Sequence, residues 1–448
     1  MQDLTTGSIP RHLLKTSSFM LVIMVFQTLY VLVDLYWVGR LSTEAVAAVG
    51  IAGTLAFVVL ALTQMLGVGT TTLVAHAAGR KDRERALLVF NQSQVLSMVA
   101  GALFLLVAMA LRGSYVRAMS GAPETRRLAA EYLTWFIPAL ALQFGMVAMG
   151  AALRGTGNFK PGVVVQVVTV VINMLLAPVL IFGWGPAPAL GVAGAAIASL
   201  IAIALGTVWL LRYFLPADAY LRFVRGDLRP RLRLWADLLK VGLPAGAEFA
   251  LMSVYLFLVY SVTRPFGAPA QAGFGIGLRL VQAFFLPVVA LGFAVSPVAG
   301  QNFGARLGDR VRQTFKSGVL LCSTIMLVAT LIAHLAPAAL IGLFSADPQV
   351  IAVGEEYLRI VSWTFVASGI TFVTASMFQA MGNTLPSLAT SFIRIVVVAI
   401  PLVLLAGRPG FTLRWIWYLS VLSVALQLFF NLLLLRREYR IRLAFAPV

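Results

Sequence analysis

PADAYLRFVRGDLRPRLRLWAD, running from Pro216 to Asp237, is the only long polar stretch in this chain of 448 residues, and it falls at the middle. The flanks are apolar: 60% of all residues are hydrophobic and 11% are charged, with a mean hydropathy of +0.94. Soluble domains carry roughly 45–50% apolar and about 25% charged residues, so a water-soluble fold is excluded and lipid is the solvent. A bilayer core of about 30 Å takes roughly 20 apolar residues per helix, which leaves room for around a dozen spans. They are expected near 16–39, 45–75, 86–111, 127–153, 162–183, 190–213, 239–263, 270–299, 314–344, 353–381, 386–406 and 413–435. The chain therefore divides into an N-lobe of six helices (1–215), a cytoplasmic linker loop (216–238) and a C-lobe of six helices (239–448).

The formal charge of +18 sits in short Lys and Arg runs between apolar stretches, where it orients a membrane protein rather than binding nucleic acid. Arg11 and Lys15, the run from Arg80 to Arg85, Arg154 with Lys160, the arginines from Arg222 onward, Arg306 to Lys316 and the tail from Arg436 alternate onto one side. Both termini are expected to be cytoplasmic, in a multi-pass protein of the inner (plasma) membrane. The first apolar stretch is too long for a cleavable leader and runs into Asp34 and Arg40. A single cysteine, Cys322, rules out an intrachain disulfide, and three histidines are not spaced for a metal. No aspartate-rich metal motif and no Gly-rich phosphate loop is present, so neither enzyme chemistry nor a cofactor is expected.

Sliding the sequence on itself gives one gap-free offset, 225 residues, the distance from Tyr132 to Tyr357. At that register Gly50-Ile51 falls on Gly275-Ile276, Gly79 on Gly304, Glu131-Tyr132-Leu133 on Glu356-Tyr357-Leu358, and Gly157-Asn158 on Gly382-Asn383. Each half has an even number of spans, so the two halves share one orientation and are expected to relate by a pseudo-two-fold along the membrane normal. Two like bundles facing a central cleft can rock to expose it to either side, which favours a transporter working by alternating access.

With these segments in place the chain resembles the multidrug and toxic compound extrusion (MATE) family. The resemblance is carried by VDLYWVGRLSTEAVAAVG from Val33, GVGTTTLVAHAAGRKDRERA from Gly67, ALRGTGNFKP from Ala152, GVAGAAIAS from Gly191, VGLPAG from Val241, GFGIGLRL from Gly273, SPVAGQNFGARLGDRVR from Ser296 and FQAMGNTLPS from Phe378. It implies two six-helix lobes and export of organic, mostly cationic or amphiphilic compounds, driven by inward H⁺ or Na⁺. The expected partners are small organic substrates and the bilayer, with the chain a monomer. A flippase for a lipid-linked precursor, found in the same superfamily, is the alternative; it would want a larger cationic cleft.

Charge inside the hydrocarbon region is costly, so an acid there is read as functional. Asp34 lies about four turns into the first span and matches the family's first-helix aspartate; it is the candidate carboxylate for H⁺ or Na⁺ coupling. The alternative is an interfacial Asp paired with Arg40. The resemblance places Asn173 beside it as an amide that coordinates a cation or bonds the carboxylate. Many members carry a second aspartate one turn later, where this chain has Ala177, and losing that anionic ligand turns the expectation from Na⁺ toward H⁺.

Glu248, Ser199, Arg279 and Gln282 are the further candidates for a substrate or proton relay. For Glu248 the competing reading is an ion pair with Arg279 or Arg394. Under the repeat Asp34 falls on Val259 and Glu248 on Ile23, so neither acid belongs to the duplicated scaffold. The aromatics Phe144, Tyr255, Phe284, Phe285 and Phe372 fit either a pocket for planar cations or ordinary helix surface. Pro244 has Phe19 as its repeat partner, so a proline hinge in the first span is not expected.

Overall fold

A computed structural model describes residues 2–185, 188–405, 408 and 410–445. Among them are helices and turns and no strand. Twelve of the helices are long and apolar enough to cross a membrane: α1 (Ile9–Gly39), α2 (Thr43–Gly79), α3 (Arg83–Met119), α4 (Pro123–Gly155), α5 (Lys160–Phe182), α6 (Gly191–Arg212), α7 (Leu232–Phe266), α8 (Ala268–Gly304), α9 (Gly308–Leu335), α10 (Pro348–Ala380), α11 (Leu385–Leu405) and α12 (Leu413–Arg442). In lipid every backbone donor and acceptor must be paired internally, and a continuous helix does this within one segment.

Helix starts follow ordinary capping chemistry. Ser42 accepts from the Ala45 amide (3.0 Å) ahead of α2, Asp82 from Arg85 (2.9 Å) ahead of α3, and Asp347 from Gln349 (2.8 Å) ahead of α10. The structure moves several boundaries, α3 among them, which runs on to Met119 instead of ending near 111. α1 begins at Ile9 and α7 at Leu232, both earlier than hydropathy indicates, because amphipathic turns extend them beyond the hydrocarbon region. α9 stops at Leu335, and Pro337, which has no N–H to continue it, opens a separate short helix Pro337–Gly342.

The chain forms two compact units, one of Met1–Asp3 with Phe19–Leu243 and one of Leu4–Ser18 with Pro244–Val448. The division runs through α1 at Phe19 and through α7 at Pro244, which are repeat-equivalent positions. The duplication extends to individual bonds. α2 and α8 end in the same turn, with Lys81 and Arg306 at φ 59° and 58°. Asp82 N bonds Ala77 O at 3.0 Å, and its equivalent Leu307 N bonds Asn302 O at 2.9 Å. After α4 and α10, Gly157 and Gly382 take φ 74° and 73°, and the Asn158 and Asn383 amides bond Leu153 and Phe378 at 3.0 Å. Only glycine adopts that left-handed backbone without a Cβ penalty, which accounts for the shared Gly-Asn pair.

In the first unit α4 is the central helix, packed on α2, α3 and α6. Gly155 lets α4 approach α2, where a Cβ would meet the Thr71 carbonyl oxygen and Val74 Cβ at 2.9 Å. In the second unit α8 packs on α9 and α10, and α10 on α12. α1 and α7 are the least enclosed spans, with 11% of the most apolar window of each buried against 61% for α4. Few buried apolar contacts mean low local stability.

The mid-chain polar stretch is a built part of the first unit. Two buried side chains on α3 hold it. Gln92 donates to Asp227 O (2.5 Å) and Arg229 O (2.7 Å) and accepts from Arg231 N (2.8 Å) and Trp235 Nε1 (3.0 Å). Asn91 donates to Arg222 O and accepts from Val224 N, each at 3.0 Å. Replacing Gln92 by alanine strands four backbone or indole groups, each bond worth about 1 kcal/mol. The expected result for Gln92→Ala is rapid tryptic cleavage between Arg222 and Arg233, with transport retained; cleavage at the wild-type rate would show that the loop holds itself.

Candidate functional site

The buried charge in the first unit is Asp34, in the upper part of α1. It is 6% exposed, and its Oδ1 is buried with no hydrogen-bond partner among the described residues. Arg40 does not pair with it. That guanidinium lies over the Tyr36 ring, 4.7 Å from its centroid, and bonds the Tyr36 hydroxyl. The interfacial ion pair is thus replaced by an uncompensated carboxyl, because six residues of helix turn Arg40 away from Asp34.

Polar groups of four helices, α1, α4, α5 and α6, make up this region. Tyr30, one turn earlier on α1, and Tyr132 on α4 lie within electrostatic reach of the carboxyl. The Tyr30 hydroxyl is 3.0 Å from Ser199 Oγ on α6, and Asn173 Nδ2 on α5 donates to the same oxygen at 3.0 Å. Ser199 itself donates to Ala195 O (3.2 Å). A hydroxyl has one proton and two lone pairs, so Tyr30 must be the donor in its bond to Ser199. Ser199 is then saturated, while Asn173 keeps a second N–H and its carbonyl oxygen for other partners.

Asn173 and Ser199 meet through their 3.0 Å bond, and Tyr30 links them to the helix that carries Asp34; Ala177, one turn after Asn173, is buried. Tyr30 and Tyr132 are missed by sequence reading. The available signal was the repeat, since Tyr30 falls on Tyr255 and Tyr132 on Tyr357.

In the second unit Glu248 sits four residues past Pro244 on α7. It hydrogen-bonds Ser387 on α11, and its Oε1 is buried without a partner. Among the described residues the ion pairs within 4 Å include none between Glu248 and Arg279 or Arg394. Arg279 and Gln282 on α8 are both exposed and bond neither Glu248 nor Ser387. Their side chains leave the buried face because Gly273 and Gly277 of the same helix occupy it against α10. Glu131 pairs with Arg127 within α4 (3.4 Å), while its repeat partner Glu356 ties α10 to Arg414 on α12. Phe144 is core, its ring 5.7 Å from Phe104. Among the described residues no three His, Cys, Asp or Glu groups gather to hold a metal.

A MatE family model matches residues 20–179 and 244–405, one segment in each half of the repeat. The chain belongs to the MatE family. The probable multidrug resistance protein YoeA of Bacillus subtilis is 27% identical over 414 residues, 91% of this chain and 89% of the relative. A solved structure described as the outward-facing conformation of a multidrug resistance MATE family transporter of the MOP superfamily superposes with a TM-score of 0.90 at 25% identity, covering 99% of this chain and 98% of that one. A MOP superfamily transporter from Pyrococcus furiosus, described as having a binding pocket of reverse polarity that suggests a different function, superposes at 0.89 and 25% identity, with 98% of both chains covered. This MatE chain is accordingly a multi-pass membrane transporter and not an enzyme, built from twelve apolar helices in two equivalent sets.

Proposed function

We propose that this MatE transporter is a secondary antiporter that exports organic, cationic or amphiphilic compounds in exchange for inward H⁺, with Asp34 as the coupling carboxylate. The observation that carries the reading is the unpartnered, buried Asp34 Oδ1. An ionised carboxylate in a dry site is costly unless a proton or a cation compensates it. Inward H⁺ and outward organic cation therefore compete for one negative charge, and that competition is coupling. Alternating access follows from the same requirement, because the carboxyl must meet each aqueous phase in turn.

Tyr30, Asn173 and Ser199 position the site. The Tyr30–Ser199–Asn173 chain of bonds fixes α1, α5 and α6 together and turns the Asn173 carbonyl outward from Ser199. A Na⁺ ion would have the Asp34 carboxylate and the Asn173 carbonyl as hard ligands. Ala177 supplies no further oxygen, so H⁺ is favoured. Glu248, with one oxygen on Ser387 and one unpaired, is a second proton-relay candidate on α7. The basic runs orient the chain in the inner membrane with both termini cytoplasmic.

The deciding experiment uses proteoliposomes loaded with a fluorescent organic cation, under a pure proton gradient and, separately, a pure sodium gradient. Cation movement is expected with the first. Movement with sodium alone reassigns the ion, and movement with neither refutes the antiport reading. Tyr30→Phe keeps the ring and removes the hydroxyl that holds Ser199. It is expected to slow export several-fold while the melting temperature changes little; unchanged transport would separate that bond from the site.

A further inference from the structure

The repeat places Tyr255 and Tyr357 in the second unit where the first has Tyr30 and Tyr132. The scaffold bond is repeated too: the Tyr255 hydroxyl lies 2.8 Å from Ser420 Oγ on α12, as Tyr30 does from Ser199 on α6. The charge is reversed. Val259, 1% exposed, stands at the position of Asp34, and Arg394 on α11 stands at the position of Thr169 on α5.

Among the described residues Arg394 has no counter-charge within 4 Å. Its guanidinium carbon is 5.1 Å from the centroid of the Tyr255 ring, and Tyr357 is within its electrostatic reach. Nη1 reaches Gln427 Oε1 at 3.5 Å, at the limit of a hydrogen bond, while Gln427 Nε2 is committed to Ser391 Oγ at 3.1 Å. Nε is buried with no partner, and the ion pairs among the described residues include none with Arg394. One turn along α12 from Gln427, Asn431 accepts from Thr390 at 2.7 Å, and its Nδ2 is a second buried donor without an acceptor. In the first unit the orphaned atoms at the equivalent place are oxygens, Asp34 Oδ1 and Thr169 Oγ1. In the second they are N–H donors.

We propose that Arg394, Gln427 and Asn431, walled by Tyr255, form a binding site for a small organic carboxylate carried on an aromatic body. A guanidinium presents a planar fork that matches one carboxylate bidentately, and a single arginine balances one negative charge. A phosphate dianion would be left half-neutralised. Tyr255 supplies an aromatic face beside the fork. Glu248 is the acidic group facing α11, where it bonds Ser387, and among the described residues it forms no ion pair within 4 Å with Arg394. As a substrate subsite this rests on the export reading above and widens the cargo to compounds bearing a carboxylate, whereas binding itself is read without a gradient.

The test is binding of radiolabelled benzoate to the purified full-length protein in uncharged detergent, competed by benzamide or by inorganic phosphate. Tetraphenylphosphonium binding is measured on the same samples as an independent check on fold and on the Asp34 site. Wild type is expected to bind benzoate. Arg394→Gln is expected to weaken it by at least about 30-fold, the loss typical of removing one member of a buried charge pair. Arg394→Lys should retain part of the affinity, and benzamide should not compete. Equal benzoate binding by Arg394→Gln, competition by benzamide, or displacement by phosphate alone overturns the site. Loss of tetraphenylphosphonium binding with benzoate binding intact would instead count against the cation-export reading and leave this site standing.

Discussion

Asp34→Asn is expected to reduce gradient-driven export to the leak of empty liposomes while the protein remains folded and inserted. The substitution preserves shape and removes the charge. Asp34 Oδ1 has no hydrogen-bond partner, so nothing is broken by neutralising it, and the melting temperature should hold or rise. The variant cannot exchange H⁺ for a cation, so its residual transport should not respond to an imposed pH gradient. Measuring cation flux and thermal stability on one preparation separates this from simple misfolding. Wild-type flux in the variant would remove Asp34 from coupling.

The second large effect concerns how the amide and hydroxyl near Asp34 are held. Gly194 on α6 faces the backbone of α5. A Cβ there would lie 2.5 Å from the carbonyl carbon and oxygen of Leu180 and 2.8 Å from the Ile181 nitrogen. Backbone cannot swing aside as a flexible side chain can, so the helices must separate by about 1 Å to reach ordinary contact near 3.5 Å. The Asn173–Ser199 bond, 3.0 Å in length, joins the same two helices and would be stretched beyond hydrogen-bonding range. Gly194→Ala is expected to cost about 1–3 kcal/mol in the first unit and to abolish most export. Gly162→Ala, on α5 with open space around it, is the control and should leave both properties unchanged. Equal behaviour of the two variants would show that the α5–α6 approach is unimportant.

What the sequence made legible follows from the solvent. In lipid, span number depends on apolar length alone, so all twelve helices could be read from hydropathy. Their ends could not, because α1 and α7 continue as amphipathic turns outside the hydrocarbon region, where length gives no signal. The repeat was readable because Gly157 and Gly382 are demanded by a left-handed turn, and Lys81 and Arg306 share another. Asp34 stood out because charge in an apolar helix is conspicuous.

Tyr30 and Tyr132 did not stand out, since a tyrosine among leucines and valines has the same pattern whether it faces lipid, core or a carboxyl. Arg279 and Gln282 are polar in an apolar helix, and the glycine face of α8 turns inward and leaves them exposed. The mid-chain stretch had the composition of a free linker. Its order comes from Asn91 and Gln92, two amides within α3 that have no repeat partner of their kind, as Lys316 and Ser317 occupy the equivalent positions.

The most direct measurement is proton release from purified protein in weakly buffered detergent solution when tetraphenylphosphonium is added. If organic cation and H⁺ share the Asp34 carboxyl, cation binding expels protons from the wild type and none from Asp34→Asn. Cation binding that leaves the solution pH unchanged, or equal release from both proteins, would contradict the account.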